Sequence, residues 1–160
     1  MFVTGFDIVK IHKNNWVLII FVGDIMIKII TREEAFKRAE KIKRENEILY
    51  GVPFEIVHRY VDISDLIPTQ RELERRKLEI VIEKTIHGYD APVIVLEYNG
   101  KYYLLDGHHR AYARKALKLG FVEAIILRPL KPIKINIEES VEKQGIRKLD
   151  DLRIRGNCIL

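Results

Sequence analysis

The stretch that decides the fold is Tyr102-Tyr103-Leu104-Leu105-Asp106-Gly107-His108-His109-Arg110-Ala111-Tyr112-Ala113. An apolar run ends at the acidic Asp106, turns on Gly107 and opens a segment whose first residues are two histidines and an arginine. A strand-ending signal and a helix-starting signal therefore meet at one glycine. We predict a strand over 101–105 and a helix from His108 to about Leu119, which the following glycine ends.

The first residues of this predicted helix carry an unusual charge pattern. The first turn of a helix has free N–H groups and a partial positive charge, so cationic side chains are unfavourable there. A bound anion would compensate, because the backbone amides from Gly107 onward would hold phosphate oxygens and Arg110 would add a bidentate contact. The alternative is that His108 and His109 pack in the core or face solvent. The pattern favours a phosphate site formed by Gly107, His108, His109 and Arg110.

The rest of the chain has alternating strand and helix signals. Thr31 and Glu34 have the spacing of a capping box, which predicts a helix over about 32–50. Asn99-Gly100 lies between two apolar runs, which predicts a tight β-hairpin. Further strands are expected over 6–11, 16–22, 27–30, 54–60 and 122–127, a turn-rich link over 62–70, a helix over about 71–85, and no long helix after residue 128. The sequence therefore predicts an α+β domain.

Length and composition exclude several classes of protein. A chain of 160 residues with 48% hydrophobic and 32% charged residues is enough for one globular domain, and neither a disordered chain nor a multi-domain machine is expected. The single cysteine, Cys158, excludes a disulfide framework and a cysteine-based zinc site, and predicts a reducing, cytoplasmic setting. No apolar run reaches the length of a membrane-spanning helix. The isoleucine, lysine and glutamate content is typical of thermophile proteins, and Met26 is an alternative translation start.

The motif Asp106 to Arg110 resembles the ParB/sulfiredoxin superfamily. In ParB the corresponding glycine-led turn binds the phosphates of CTP, and in sulfiredoxin a Gly-Cys-His-Arg version binds ATP. The Asp-Gly-His-His-Arg sequence is identical to the motif of the archaeal ADP-dependent free serine kinases. The resemblance covers about 62–127 and includes the upstream Pro68. It implies a ParB/sulfiredoxin-like core over 56–130 with a small mixed sheet and helices, an N-terminal extension over 1–55 and a C-terminal extension over 131–160.

For function, the resemblance implies a nucleotide-binding protein that acts as a small-molecule kinase or related phosphotransferase. The nucleotide is expected to be ADP or ATP, with CTP as the alternative, and the cofactor Mg²⁺. Phosphoryl transfer to a hydroxyl requires phosphate clamps, a divalent cation and a carboxylate that takes the proton. We assign metal binding to Asp106 and the role of the base to Glu72. The alternative for Glu72 is that it is an ordinary solvated residue on a charged helix. The expected catalytic residues are thus Glu72, Asp106 and His108, and the expected phosphate-binding residues are Gln70, Gly107, His108, His109 and Arg110.

Sequence differences from each of these relatives narrow the choice of function. His108 occupies the position of the nucleophilic cysteine of sulfiredoxin, which excludes sulfinic acid reduction. The residues after Arg128 are too few for the DNA-binding domain of a partitioning ParB. The serine kinases have a glutamate just after the upstream proline, whereas this chain has Gln70 there, so the base falls to Glu72 or Glu74.

Two other functions and several partners stay open at the level of sequence. A nucleotide-dependent, DNA-associated module without catalysis and a ParB-type nuclease are the alternatives to a kinase. The expected partner is a small-molecule acceptor; a homodimer is allowed, and DNA is not favoured because acidic and basic residues alternate along the helix over 32–50. His58 and His87 are expected to be structural or exposed, and Tyr102 and Tyr103 to pack across strands.

Overall fold

The computed structural model describes residues 5–12, 15–22 and 25–156, and it has the α+β class that the sequence predicts. Its helices are α1 (Arg32–Tyr50), α2 (Arg75–Ile86), α3 (His108–Ala116) and α4 (Ile137–Gln144), with single 3-10 turns at Ile63–Asp65 and Leu149–Asp151. Its strands are β1 (Gly5–His12), β2 (Asn15–Val22), β3 (Ile25–Ile30), β4 (Phe54–Asp62), β5 (Leu66–Pro68), β6 (Glu72–Glu74), β7 (Val93–Tyr98), β8 (Lys101–Asp106), β9 (Phe121–Pro129) and β10 (Arg153–Arg155).

The central sheet has five strands in the order β4-β9-β7-β8-β5. The pairs β4–β9 and β7–β8 are antiparallel, whereas β7–β9 and β5–β8 are parallel, so the sheet is mixed as predicted. Asn99 and Gly100 connect β7 to β8 with φ values of 50° and 72°, as a two-residue hairpin with two left-handed positions requires. The hairpin prediction is confirmed.

The N-terminal residues form a separate antiparallel sheet, β1-β2-β3, followed by α1. The strand predictions for this region are confirmed, and α1 has the predicted bounds. The Thr31 hydroxyl accepts a hydrogen bond from the Glu34 backbone N–H at 3.2 Å, and Gly51 ends the helix with φ 66°. Local capping signals therefore fix both ends of this helix. Cys158 lies outside the described residues.

Both faces of the central sheet are covered, which explains the continuous apolar run of β7. Val93 and Val95 face a core that includes buried residues of β2, β3, α2 and α3. Ile94 and Leu96 face the opposite core, to which α1 contributes Ala39 and α4 contributes a valine. The strand is buried on both sides and therefore lacks the polar alternation of a half-exposed strand.

Three local predictions need correction. The predicted helix over 71–85 begins only at Arg75, because 72–74 forms β6 and pairs in parallel with β10. The link over 62–70 contains β5, whereas the C-terminal region, for which no long helix was predicted, has only the short helix α4 within the described residues. Helix α3 ends at Ala116 instead of Leu119, and Lys118 has a φ of 58°. Three-residue strands are too short for a periodic pattern, and their partners are distant in sequence, so local signals do not reveal them.

Candidate functional site

The turn between β8 and α3 is built around Gly107. This residue has φ 98° and ψ 30°, a conformation that L side chains rarely adopt. A Cβ at this position would lie 2.8 Å from Val93 Cγ1 and 2.8 Å from Arg110 Nη2. A glycine is therefore required here for two reasons: the left-handed backbone conformation and the close approach of the Arg110 side chain. The predicted strand-turn-helix is present.

A cavity of about 330 Å³ lies beside this turn. Six of the seven predicted site residues line it: Gln70, Asp106, Gly107, His108, His109 and Arg110. The others lining it come from segments distant in sequence: Lys28, Ile29, Ile30, Arg38, Lys77, Val81 and Tyr89. The motif over 106–110 therefore forms only one wall, and the tertiary structure supplies the rest.

The charges that line the cavity are unbalanced. Lys28, Arg38, Lys77 and Arg110 contribute four cationic side chains, whereas Asp106 is the only carboxylate among the described lining residues. Asp106 Oδ2 lies 3.4 Å from Arg110 Nη2 and 3.6 Å from Arg38 Nη1. Burial, together with the nearby Arg110, lowers the pKa of Lys77. Such an excess of positive charge in a concave, partly buried site favours a polyanionic ligand.

Arg110 has a hydrogen-bonding capacity that the protein leaves partly unused. Its side chain is 12% exposed, and its Nη2 donates to the Pro92 carbonyl oxygen at 2.9 Å. Its Nε is buried and has no hydrogen-bond partner among the described residues. A buried guanidinium N–H without an acceptor is costly, and an anion oxygen would satisfy it.

The two motif histidines are neutral hydrogen-bond acceptors. The Thr69 backbone N–H donates to His108 Nε2 at 3.0 Å, and the Glu74 backbone N–H donates to His109 Nε2 at 3.0 Å. An accepting Nε2 carries no proton, so each neutral ring has its proton on Nδ1. Burial lowers the pKa of His108 to about 4, and burial aided by Lys77 lowers the pKa of His109 to about 4. Of the three cationic side chains expected in the first turn of α3, only Arg110 therefore carries a charge. The two histidines instead bind the backbone of the segment over 69–74.

Glu72 is the predicted site residue that the structure does not bring to the cavity. It lies in β6, not on the predicted helix, and its Oε2 accepts a hydrogen bond from Arg155 Nη1 at 2.9 Å. Glu74, the alternative base, also lies outside the lining residues. Gln70 is at the cavity, and its Nε2 donates to the Glu72 carbonyl oxygen at 2.8 Å.

The described residues include no group of three or more histidine, cysteine, aspartate or glutamate side chains placed to hold a metal ion. Within the described ranges, Asp106 is the one residue that supplies a carboxylate at the cavity. Mg²⁺ keeps several waters and is commonly bound by one or two carboxylates together with substrate phosphates. The donor set therefore fits Mg²⁺ only when phosphate oxygens complete the coordination.

Four polar residues of the cavity were not predicted from the sequence: Lys28, Arg38, Lys77 and Tyr89. Arg38 and Lys77 belong to helices that carry both acidic and basic residues, and Lys28 is the one charged residue of the apolar strand β3, so their sequence neighbours give no signal. The Tyr89 hydroxyl donates to the Ile30 carbonyl oxygen at 2.5 Å, and burial raises the pKa of Tyr89 to about 12. This bond ties the wall formed by β3 to the loop before β7.

Two residues discussed from the sequence lie away from the cavity. His58 Nε2 pairs with Glu123, whose carboxylate also accepts two hydrogen bonds from Arg32 at 2.6 Å. Tyr103 is buried in the core that contains Ile94, as expected for a packing residue. Among the described residues, no helix has the length and apolar character needed to cross a membrane.

Comparison with known proteins finds distant likenesses. No family model matches the chain. The uncharacterized protein MJ0188 of Methanocaldococcus jannaschii is 29% identical over 158 residues, which are 96% of this chain and 59% of that protein, so the chain spans little more than half of this relative.

Three solved structures are partly similar. Protein Atu1540 from Agrobacterium tumefaciens has a TM-score of 0.49 at 17% identity, over 61% of this chain and 62% of that one. A conserved hypothetical protein from Pyrococcus furiosus has a TM-score of 0.41 at 25% identity, over 44% and 32%. Sulfiredoxin from Arabidopsis thaliana has a TM-score of 0.34 at 18% identity, over 54% and 97%.

Proposed function

We propose that the protein is a ParB-like nucleotide-binding protein that transfers a phosphoryl group from ADP or ATP to the hydroxyl of a small molecule. The observation that supports it most strongly is the cavity at the start of α3, where four cationic side chains face a single carboxylate. The motif over 106–110, which resembles that of the archaeal free serine kinases, supports the same ligand class.

In this proposal the residues at the cavity divide into three groups. The free backbone N–H groups at the start of α3, beginning at His108, donate hydrogen bonds to phosphate oxygens, as helix N-termini commonly do. Arg110, Lys77 and Arg38 neutralise the phosphate charge, and Arg110 gains an acceptor for its buried Nε. Asp106 holds Mg²⁺ together with the phosphates. When bound, Mg²⁺ would stabilise the negative charge that develops on the transferred group.

A second candidate is a nucleotide-binding module without phosphoryl transfer. A base for the acceptor hydroxyl must reach it within hydrogen-bond distance, directly or through one water. Glu72 is paired with Arg155 outside the cavity, Gln70 cannot take a proton at neutral pH, and Asp106 lies beside two arginines. This shortage of basic groups near the cavity is the observation that supports the second candidate.

Calorimetric titration with AMP, ADP, ATP and CTP, each with and without Mg²⁺, tests the binding step. ADP or ATP should bind at least about tenfold more tightly than AMP, because AMP lacks the phosphates that would meet the extra cations. Lys77→Met should weaken that binding by a similar factor. Lys41→Met is the matched control, since Lys41 pairs with Glu45 on the exposed side of α1. Equal, weak affinity for all four nucleotides would contradict the proposal.

Turnover then separates the two candidates. Phosphorus NMR of the protein with ADP or ATP, Mg²⁺ and a panel of small hydroxyl compounds detects a new phosphomonoester if the chain is a kinase. Binding without turnover, together with turnover gained in Gln70→Glu, would assign the chain to the non-catalytic class. Cleavage of DNA in the presence of Mg²⁺ or Mn²⁺ would instead indicate a nuclease.

A further inference from the structure

The segment over 69–74 is a wall of the cavity that is held from the inside by the two motif histidines. Its backbone N–H groups at Thr69 and Glu74 donate to His108 and His109, and the Thr69 hydroxyl donates to the Leu104 carbonyl oxygen at 2.6 Å. Between these anchors, Gln70 lines the cavity. The position of Gln70 therefore depends on where this segment is fixed.

The same segment is held from the outside by the C-terminal strand. Strand β6 has β10 as its single sheet partner within the described residues, in a parallel register that places Ile154 beside Leu73. The Arg153 backbone N–H donates to the Arg71 carbonyl oxygen at 3.0 Å, which continues the ladder by one residue. Without β10, the backbone groups on this side of β6 would lose their partners.

Side chains reinforce this connection. Arg155 Nη1 donates to Glu72 Oε2 at 2.9 Å, Arg71 Nη2 donates to the Gln144 carbonyl oxygen at 3.1 Å, and Arg75 Nε donates to the Gly156 carbonyl oxygen at 3.2 Å. Leu73 is 1% exposed and packs in the same core as Leu149 and Leu152, which lie just before β10. Residues 144–156 of the C-terminal extension are thus joined to the cavity wall at several points.

We infer that β10 is a positioning element of the cavity: by pairing with β6 it keeps Gln70 and the segment over 69–74 against His108 and His109. The expected effect of β10 on nucleotide affinity rests on the proposed function. The expected effect of β10 on the position of the cavity wall does not depend on any ligand. The two strands are about eighty residues apart in the chain. Their pairing therefore connects the C-terminal extension to the cavity that is built around the motif over 106–110.

The test uses the full chain with Arg153→Pro, which removes the backbone N–H that donates to the Arg71 carbonyl oxygen and so breaks the ladder between β10 and β6. Arg153→Ala is the matched control, since it shortens the side chain but keeps the backbone donor. NMR titration of His109 is the ligand-independent measurement. In the native chain and in Arg153→Ala the His109 pKa should stay at about 4, whereas in Arg153→Pro it should rise by a unit or more toward 6.5 as the ring loses its donor and its burial.

ADP affinity is the second measurement, and it should fall at least about tenfold in Arg153→Pro but not in Arg153→Ala, because the wall must be ordered again on binding. If Arg153→Pro does not fold, the pair Arg71→Ala and Arg155→Ala, which removes two side-chain bonds, should shift the His109 titration in the same direction. Faster hydrogen exchange at the amides of 72–74 with an unchanged His109 titration would overturn the inference. If the native chain binds no ADP, the proposed function fails, and the His109 titration alone decides the role of β10.

Discussion

Arg110 and Arg128 are both partly buried arginines beside the central sheet, but their surroundings differ. Arg128 donates from Nη1 to Glu55 Oε1 at 3.0 Å and from Nε to Glu97, so two carboxylates flank one guanidinium. The hydrogen bond with Glu97 is the main cause of the raised pKa of Arg128. Arg110 shares the single Asp106 with Arg38, and its Nε has no partner among the described residues.

The difference separates a structural arginine from one that is available to a ligand. At Arg128 the protein satisfies the charge itself, so the residue links three strands of the sheet. At Arg110 the protein buries the side chain against Gly107, but it does not supply enough hydrogen-bond acceptors or negative charge to satisfy the guanidinium. Groups that remain unsatisfied in a concave site are where a ligand gains the most.

The largest expected effect comes from filling the space that Arg110 occupies against Gly107. Gly107→Ala should lower the free energy of unfolding by about 4 kcal/mol, since left-handed backbone costs alanine about 1–2 kcal/mol and crowding adds about 1–3 kcal/mol. The matched control is Gly100→Ala, which has φ 72° and open space around its Cβ, and should cost only the backbone term. Urea unfolding followed by circular dichroism measures both. Equal losses would show that the close approach at Gly107 has no energetic consequence.

The next effect is a pH dependence that the buried His108, next to Arg110, contributes to stability. The unfolded chain takes up protons at His108 near pH 6.5, whereas burial delays uptake in the folded state to about pH 4. The contribution of neutral His108 to the free energy of unfolding is therefore fully present above pH 6.5. It is lost as the pH drops from 6.5 to 4, by up to about 3 kcal/mol for this ring.

His108→Gln keeps a side-chain acceptor but does not titrate, so it should flatten part of this pH dependence. The exposed His87→Gln serves as the control and should leave the slope unchanged. Unfolding free energies measured at several pH values between 4 and 7 decide the point. The same slope in both variants would mean that another group causes the acid sensitivity.

The smallest of the three effects compares the two arginines directly. Arg110→Ala should weaken ADP binding by about 30- to 100-fold, as expected for losing a hydrogen bond between charged groups, and should leave stability nearly unchanged. Arg128→Ala should do the reverse, because it leaves Glu55 and Glu97 facing each other without their shared cation. Calorimetry and thermal unfolding of both variants provide the comparison. A loss of ADP affinity in Arg128→Ala would contradict it.

Prediction from the sequence succeeded where the signals are local. The capping residues around α1, the Asn99-Gly100 hairpin and the strand-turn-helix at Gly107 each depend on a few neighbouring residues, and all three are present. Prediction was less accurate at Glu72, where the amphipathic pattern over 71–85 favoured a helix. Its true surroundings depend on Arg155, and no pattern around either residue reveals that contact.

The sequence by itself determined the α+β class, the turn at Gly107 and the start of α3, because backbone conformation and helix termini are set by residues close together in the chain. The tertiary structure alone decided which charges surround that turn and which protonation state the two histidines have. Burial and charge interactions such as that of Arg110 with Lys77 arise between segments distant in sequence, and electrostatics depends on distance in space.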